Sequence, residues 1–362
     1  MFKQTFPAFI ALLGLNAAAA AQTDAPAAAQ ACALPSVADT VALNPVSGSD
    51  LVTVPVEING KPKQFLLNIG TNASEVSQAT VNELHLTEGL KRTETFQSGP
   101  ADQSEANTNR IMTVGATVQA TLVDVKGIHN VDDGRARINI PSFTIGNATG
   151  KNLQFVVAND REIGKSAPYD GLMTGSFFKN YDIELDFYGN RLNYLTPTSC
   201  ADPHQVVFWP HTEVAIIPTN MADGKIEVQV NVNGQLINAI LDTSSPQTVM
   251  RRDIAELKLG LKANTPTMMP DGDLEDGRGL QVYKAFFKLI SFAGGVTAIN
   301  VPVQVRSNSM IHIVGREPTL GSRAQFNADP RIPELTLGMD VLHQLHLYVV
   351  TAQGNMYVTA AQ

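Results

Sequence analysis

The chain has 362 residues, enough for two domains with cores of their own. Its hydrophobic content of 44% is ordinary for a globular protein. The formal net charge of −8 argues against a nucleic-acid partner, because neutralising phosphates takes a basic face.

Residues 1–21 read as a secretory signal peptide. Lys3 supplies the charged start, 6–15 the apolar run, and Ala19-Ala20-Ala21 a small-residue cleavage site. The apolar run is too short to span a bilayer comfortably, and no other stretch reads as a membrane span. Export and no membrane span after leader removal are therefore expected. Residues 22–50 form a lead-in, Ala-rich at first and then loop-like. The two cysteines are Cys32 and Cys200. In an oxidising compartment such a pair forms a disulfide, here tying the lead-in to the end of the first repeat. The alternative is two buried thiols.

From residue 51 the pattern turns to strands. Val52, Val54, Val56 and Ile58 alternate, Asn59-Gly60 supplies a turn, and Phe65-Leu66-Leu67 leads into Asn68-Ile69-Gly70-Thr71. Alternation around Asn-Gly is a hairpin signal, because a type I′ turn needs positive φ at both central residues. Residues 77–86 predict a short helix, and 91–110 are polar and irregular. Strand-like runs follow at 116–125, 136–140, 143–145 and 153–157. The half closes on Gly171-Leu172-Met173-Thr174-Gly175, a short helix, and a hairpin through 181–187 and 191–195.

Residues 197–213 carry Pro197, Pro203 and Pro210 and read as a linker. Then the first pattern returns. Ile226, Val228, Val230 and Val232 alternate, Asn233-Gly234 turns, and 237–241 leads into Asp242-Thr243-Ser244-Ser245. Turn and loop both lie 174 residues after their first copies, so nothing is inserted between them. This half closes on Leu335-Thr336-Leu337-Gly338 and a hairpin through 347–350 and 356–358. Gly175 precedes Tyr194 by 19 residues, and Gly338 precedes Tyr357 by the same 19. Both ends of the repeat are in register, and only the middles differ. Short strands and few helices predict a β-barrel or sandwich in each half, 51–196 and 214–362.

An apolar strand entering an Asp-Thr-Gly-type loop, with an apolar-apolar-Gly segment downstream, occurs twice and in order. This resembles the aspartic peptidases: the retroviral-type (retropepsin-like) unit doubled in one chain, as in the pepsin-like enzymes. Similar two-repeat proteins occur among exported bacterial aspartyl-protease-like proteins. The resemblance covers nearly all of the chain after the leader. It implies an all-β, two-lobed acid-protease fold made of two retropepsin-like β-barrel repeats, and a periplasmic or secreted location. It also implies hydrolysis of an extended peptide by a water activated between two loops, with neither metal nor cofactor. In the family the two loop Asp residues share a proton, one acting as base and the other as acid. The Thr of each loop supports the opposite loop, and the Gly after it lets the backbones approach.

Carried over, Asp242 takes the place of the second-loop Asp, Thr243 its Thr, and Ser244 the usual Gly. Asn68 stands where the first Asp belongs, Ile69 where its Thr belongs, and Gly70 matches the Gly. Thr71 and Ser245 follow, and Gly175 and Gly338 mark the closing segments. Asn cannot ionise, and Ile has no hydroxyl to tie the loops. The expectation is an impaired or inactive peptidase whose cleft binds extended peptides. The alternatives are an active enzyme using Asp242 with another acid or in a dimer, and a non-catalytic envelope scaffold. In the family a flap hairpin closes the cleft; here it is expected between 86 and 170, with its tip in 112–125 or 127–137.

Other candidates take plainer readings. His343 and His346 are read as surface or helix-end residues. Asp182, Glu184 and Asp186 alternate on one strand and are read as its solvated face. Asp271, Asp273, Glu275 and Asp276 are read as a solvent loop rather than a calcium site. No Gly-x-Ser-x-Gly turn surrounds Ser244-Ser245, so a serine nucleophile is set aside.

Overall fold

Both Asn-Gly turns take the conformation their sequence demands. Asn59 and Gly60 have φ of 50° and 74°, and Asn233 and Gly234 have 50° and 93°. The computed structural model describes residues 34–71, 73–86, 93–94, 120–121, 136–158, 163, 167–178, 181–198, 200, 202–211, 213–221, 225–275, 280–292, 295–307 and 333–361. The leader, Cys32, Asp276, most of 91–110 and nearly all of both flap-tip stretches lie outside these residues.

In chain order the strands are β1 (Val37–Ala42), β2 (Asn44–Pro45), β3 (Val52–Ile58), β4 (Lys61–Asn68), β5 (Glu75–Ser77), β6 (Thr93–Glu94), β7 (Ala120–Thr121), β8 (Arg137–Ile145), β9 (Ala148–Ala158), β10 (Gly171–Thr174), β11 (Asp182–Asp186) and β12 (Arg191–Leu195). The second half supplies β13 (Ala215–Pro218), β14 (Glu227–Val232), β15 (Gln235–Leu241), β16 (Val249–Arg251), β17 (Met269–Glu275), β18 (Gln281–Phe292), β19 (Thr297–Arg306), β20 (Leu335–Leu337), β21 (Leu345–Val350) and β22 (Asn355–Ala360). The helices are short: α1 (Gln78–Glu83), α2 (Pro203–Val206), α3 (Arg252–Leu257) and α4 (Met339–Leu342). Among the described residues, no helix is long and apolar enough to cross a membrane.

In the first half the strand order is β3-β4-β10-β5-β9-β8, and β8 pairs back onto β3 at Val56 and Ile145. In the second it is β14-β15-β20-β16-β19-β18, and β18 pairs back onto β14 at Val230 and Phe292. Each half is thus a sheet closed on itself, which removes most of its free edges. A third sheet, β1-β12-β11-β21-β22-β13, takes strands from both halves. The chain is thus all-β and two-lobed, with one closed sheet for each copy of the repeat, as the repeat predicts. The alternating apolar residues supply the cores. In the first lobe Phe65, Phe143, Phe155 and Phe177 interlock with ring centroids 5.0 to 6.0 Å apart.

The shared sheet corrects three expectations. The lead-in is not all loop, because β1 forms an edge of this sheet by pairing with β12. Asp182, Glu184 and Asp186 are not a solvated face; all three are buried. His346 is not at the surface either. The sheet presents Ile183, Leu185, Leu347 and Val349 to the main core. Linker residues Val206, Val207 and Trp209 join Tyr348, Val350 and Tyr357 in a second apolar cluster.

The polar side chains beneath the linker are paired, as burial requires. Glu184 Oε1 lies 2.7 Å from His346 Nε2, and its Oε2 accepts from Asn193 Nδ2 at 2.8 Å. The His346 ring stacks on Trp209 at 3.9 Å and 10°. Trp209 Nε1 donates to Thr359 Oγ1 at 2.9 Å. Asp182 accepts backbone N–H bonds from Thr198 and Thr351, at 3.0 and 3.1 Å, yet burial pushes its carboxyl above the usual range. Burial also works against the charge of Asp186. The Arg191 guanidinium at 2.6 Å and the Gly189 N–H at 2.7 Å outweigh it and hold that carboxyl low.

Two smaller differences concern local pattern. The runs at 136–140 and 143–145 are one continuous strand, β8. The acidic run at 271–275 is part of edge strand β17, irregularly paired to β18, and not a free loop. An edge strand needs only one partner, so its charged side chains stay compatible with pairing. His343 is partly exposed at the end of α4, as expected, with Nδ1 on Met339 O.

Candidate functional site

The two loops of the repeat emerge at matching strand ends. Strand β4 runs parallel to β10, which sets Asn68 beside Thr174. Strand β15 runs parallel to β20, and Asp242 N donates to Leu337 O at 3.0 Å. Each loop therefore leaves the middle of a sheet, between two paired neighbours, and starts from a rigid base.

The loops meet through Thr243. Its Oγ1 donates to Leu67 O at 2.7 Å and accepts from Ile69 N at 3.2 Å, both bonds buried. The tie between the loops is made in one direction. Ile69 has no hydroxyl to return it and packs fully buried in the core instead. Gly70 shows how close the loops come: a Cβ there would lie 2.6 Å from Asp242 Cγ. Only glycine fits against that carboxyl.

Inside each loop the repeat extends to single hydrogen bonds. Asn68 Oδ1 accepts from Gly70 N at 2.9 Å, and Asp242 Oδ1 accepts from Ser244 N at 2.9 Å. Ser244 adds a bond from its Oγ to the same Asp242 oxygen at 2.7 Å. Asn68 is buried, and Asp242 is partly exposed. Thr71 follows at a partly exposed position, and Ser245 Oγ donates to Gln247 O at 2.7 Å.

The closing segments pack behind the loops. Gly338 lies so close to the chain that a Cβ would sit 2.4 Å from the Gln247 carbonyl, and its N–H donates to Thr248 Oγ1 at 3.1 Å. Thr248 in turn donates from N and Oγ1 to the Asp340 carboxylate at 3.0 and 2.7 Å. Gly175 opens a 3-10 turn, Gly175–Phe178, and just before it Thr174 N donates to Ser74 Oγ at 3.2 Å. Sequence reasoning missed Ser74, Thr174, Thr248 and Asp340. One signal for them was present: Ser74 and Thr248 stand 174 residues apart, at the repeat offset.

The structure thus brings Asn68, Ile69, Gly70, Thr243, Ser244 and Asp242 together. Cys200 is buried far along the chain from them, and its expected partner Cys32 lies outside the described residues. Among the described residues, no group of three or more His, Cys, Asp or Glu side chains is placed to hold a metal ion.

The central role of Thr243 can be measured. Thr243→Val leaves the Leu67 carbonyl and the Ile69 N–H without their partner, and each buried unpaired group costs about 1–3 kcal/mol. A clear fall in melting temperature is expected, and Thr243→Ser should restore most of it. Equal losses in the Val and Ser variants would place the effect in packing, not in these bonds.

No protein-family model and no curated protein matches the chain. Among solved structures it is similar to basic 7S globulin from soybean, at 12% sequence identity and a TM-score of 0.41, covering 89% of this chain and 94% of that one. Conglutin gamma from lupine seeds, described as a basic 7S globulin, gives 10% identity and a TM-score of 0.41 over the same 89% and 94%. A retropepsin-like aspartic protease from Rickettsia conorii gives 17% identity and a TM-score of 0.27, covering 42% of this chain and 98% of that one.

Proposed function

We propose that this chain is an exported protein of aspartic-peptidase type whose cleft holds extended peptides without cutting them. One observation carries the reading: Asn68 stands in place of a carboxyl group, while the loops around it remain assembled. Thr243 still grips Leu67 and Ile69, and Gly70 still fits against Asp242. Asp242 has a carboxyl group to orient a water. Asn68 has no proton to give a leaving group, and general acid–base help is worth about 10²–10⁴-fold. A dimer built on two Asp242 loops conflicts with this arrangement, because the first-lobe loop already occupies that face.

The test is enrichment of extended peptides from a random library by the purified protein. The library is compared before and after exposure by mass spectrometry. Enrichment of intact peptides, lost in Asp242→Asn, is the expected result. Absence of enrichment favours a scaffold role. New peptide ends, produced by the native protein and not by Asp242→Asn, would mean that it cuts.

A further inference from the structure

In a two-carboxyl site the hydrogen-bond donor is a shared proton, so the donor disappears when the pair loses that proton. In this chain the donor is an amide, and the loop fixes its orientation. Asn68 Oδ1 accepts from Gly70 N at 2.9 Å. Turning the amide over would set N–H against N–H. The Nδ2 hydrogens therefore face away from that backbone, and no described residue accepts them. Asp242 is committed in the matching way. Its Oδ1 takes both the N–H and the Oγ of Ser244, at 2.9 and 2.7 Å. Its Oδ2 takes no hydrogen bond from a described residue. Gly70 packs directly on the Asp242 carboxyl, so the two groups belong to one floor.

We propose that Asn68 Nδ2 and Asp242 Oδ2 form a built-in donor–acceptor pair that recognises an extended peptide equally well from mildly acidic to neutral pH. The donor binds a backbone carbonyl or hydroxyl oxygen, and the acceptor takes the neighbouring N–H or O–H. This rests on the peptide-holding reading above and adds what the floor recognises. No bond is made or broken. Among the described residues, those paired or bonded to the two loops here are Thr174, beside Asn68 on β10, Leu337, whose carbonyl accepts from Asp242 N, and Thr243 and Ser244 of the second loop; none of these is charged. Asp340 of α4 is engaged by Thr248. Among the described residues, no Lys, Arg or His side chain hydrogen-bonds Asn68 or Asp242.

The test is fluorescence anisotropy with a labelled hexapeptide library in which a secondary alcohol replaces the central amide. Native protein, Asn68→Asp and Asp242→Asn are titrated from about pH 4 to about pH 7, a range that contains the upper pKa of about 4.7 at which a shared-proton pair loses its proton. Circular dichroism confirms that each variant is folded. Native affinity is expected to stay within about 3-fold across the range. Asn68→Asp should lose at least about 10-fold toward neutral pH, the change that about 1.4 kcal/mol produces. Asp242→Asn, with two amides and no carboxylate acceptor, should bind at least about 10-fold more weakly at every pH. A native protein that weakens as steeply as Asn68→Asp overturns this inference and leaves peptide holding intact. Unchanged binding in Asp242→Asn overturns it as well. Failure of native protein and Asn68→Asp to bind at any pH overturns peptide holding and this inference together.

Discussion

The double change Asn68→Asp with Ile69→Thr should yield a peptidase active at acid pH, and adding Asp242→Ala should abolish that activity. Aspartate in place of Asn68 keeps the side-chain shape and the bond from Gly70 N, and it supplies the missing carboxyl. Two carboxyls that close share a proton, which makes one a base and the other an acid. That pairing is worth about 10²–10⁴-fold. Threonine in place of Ile69 adds the hydroxyl needed to answer Thr243, whose own Oγ1 already bonds Leu67 O and Ile69 N. By the repeat offset, the returned bond would reach the Leu241 carbonyl. Ile69 is fully buried, so Ile69→Thr alone should destabilise the protein without conferring activity. The readout is cleavage of a mixed peptide substrate in the acid range, followed by mass spectrometry. Cleavage by the native protein that Asp242→Ala abolishes would overturn the peptide-holding proposal. A folded but silent double variant would show that the cleft lacks more than a carboxyl and a hydroxyl.

Glu184→Ala or His346→Ala should each cost about 1–3 kcal/mol, the range for leaving a buried polar partner without its hydrogen bond. Glu184 stands on β11 and His346 on β21, the two strands that join the lobes, and their side chains meet at 2.7 Å. Losing Glu184 strands the Asn193 amide and the His346 ring, both buried. Losing His346 also removes the surface on which Trp209 stacks. Replacing both residues by leucine should cost less than Glu184→Ala, because the His346 ring is then no longer stranded and only the Asn193 amide is left without its partner. Chemical denaturation of the two single variants and the double variant measures this. Single losses below about 1 kcal/mol, the level of an exposed ion pair, would show that the joint does not depend on this contact.

The architecture was legible because its signals are local and repeated. Val52 to Ile58 and Ile226 to Val232 alternate with the period of a half-buried strand, and Asn-Gly sets the turn after each. The offset of 174 residues placed both loops, and with them Asn68, Ile69, Gly70, Asp242, Thr243 and Ser244, before any contact was known. Even the departures could be read, since whether a side chain can ionise or donate is a property of the residue alone.

Tertiary structure alone decided burial on the far side of the joining sheet. Charged residues alternating with apolar ones look the same whether water or another segment covers them. Here the linker lies over His346 and Tyr348, through Trp209 and its apolar neighbours. That turns an expected solvated face into a buried hydrogen-bonded one. Ile69 follows the same logic: sequence showed a missing hydroxyl, and packing showed a side chain absorbed into the core. Sequence specifies which groups can pair and where the chain can turn. What covers a face depends on segments far away along the chain, and only the folded arrangement brings those together.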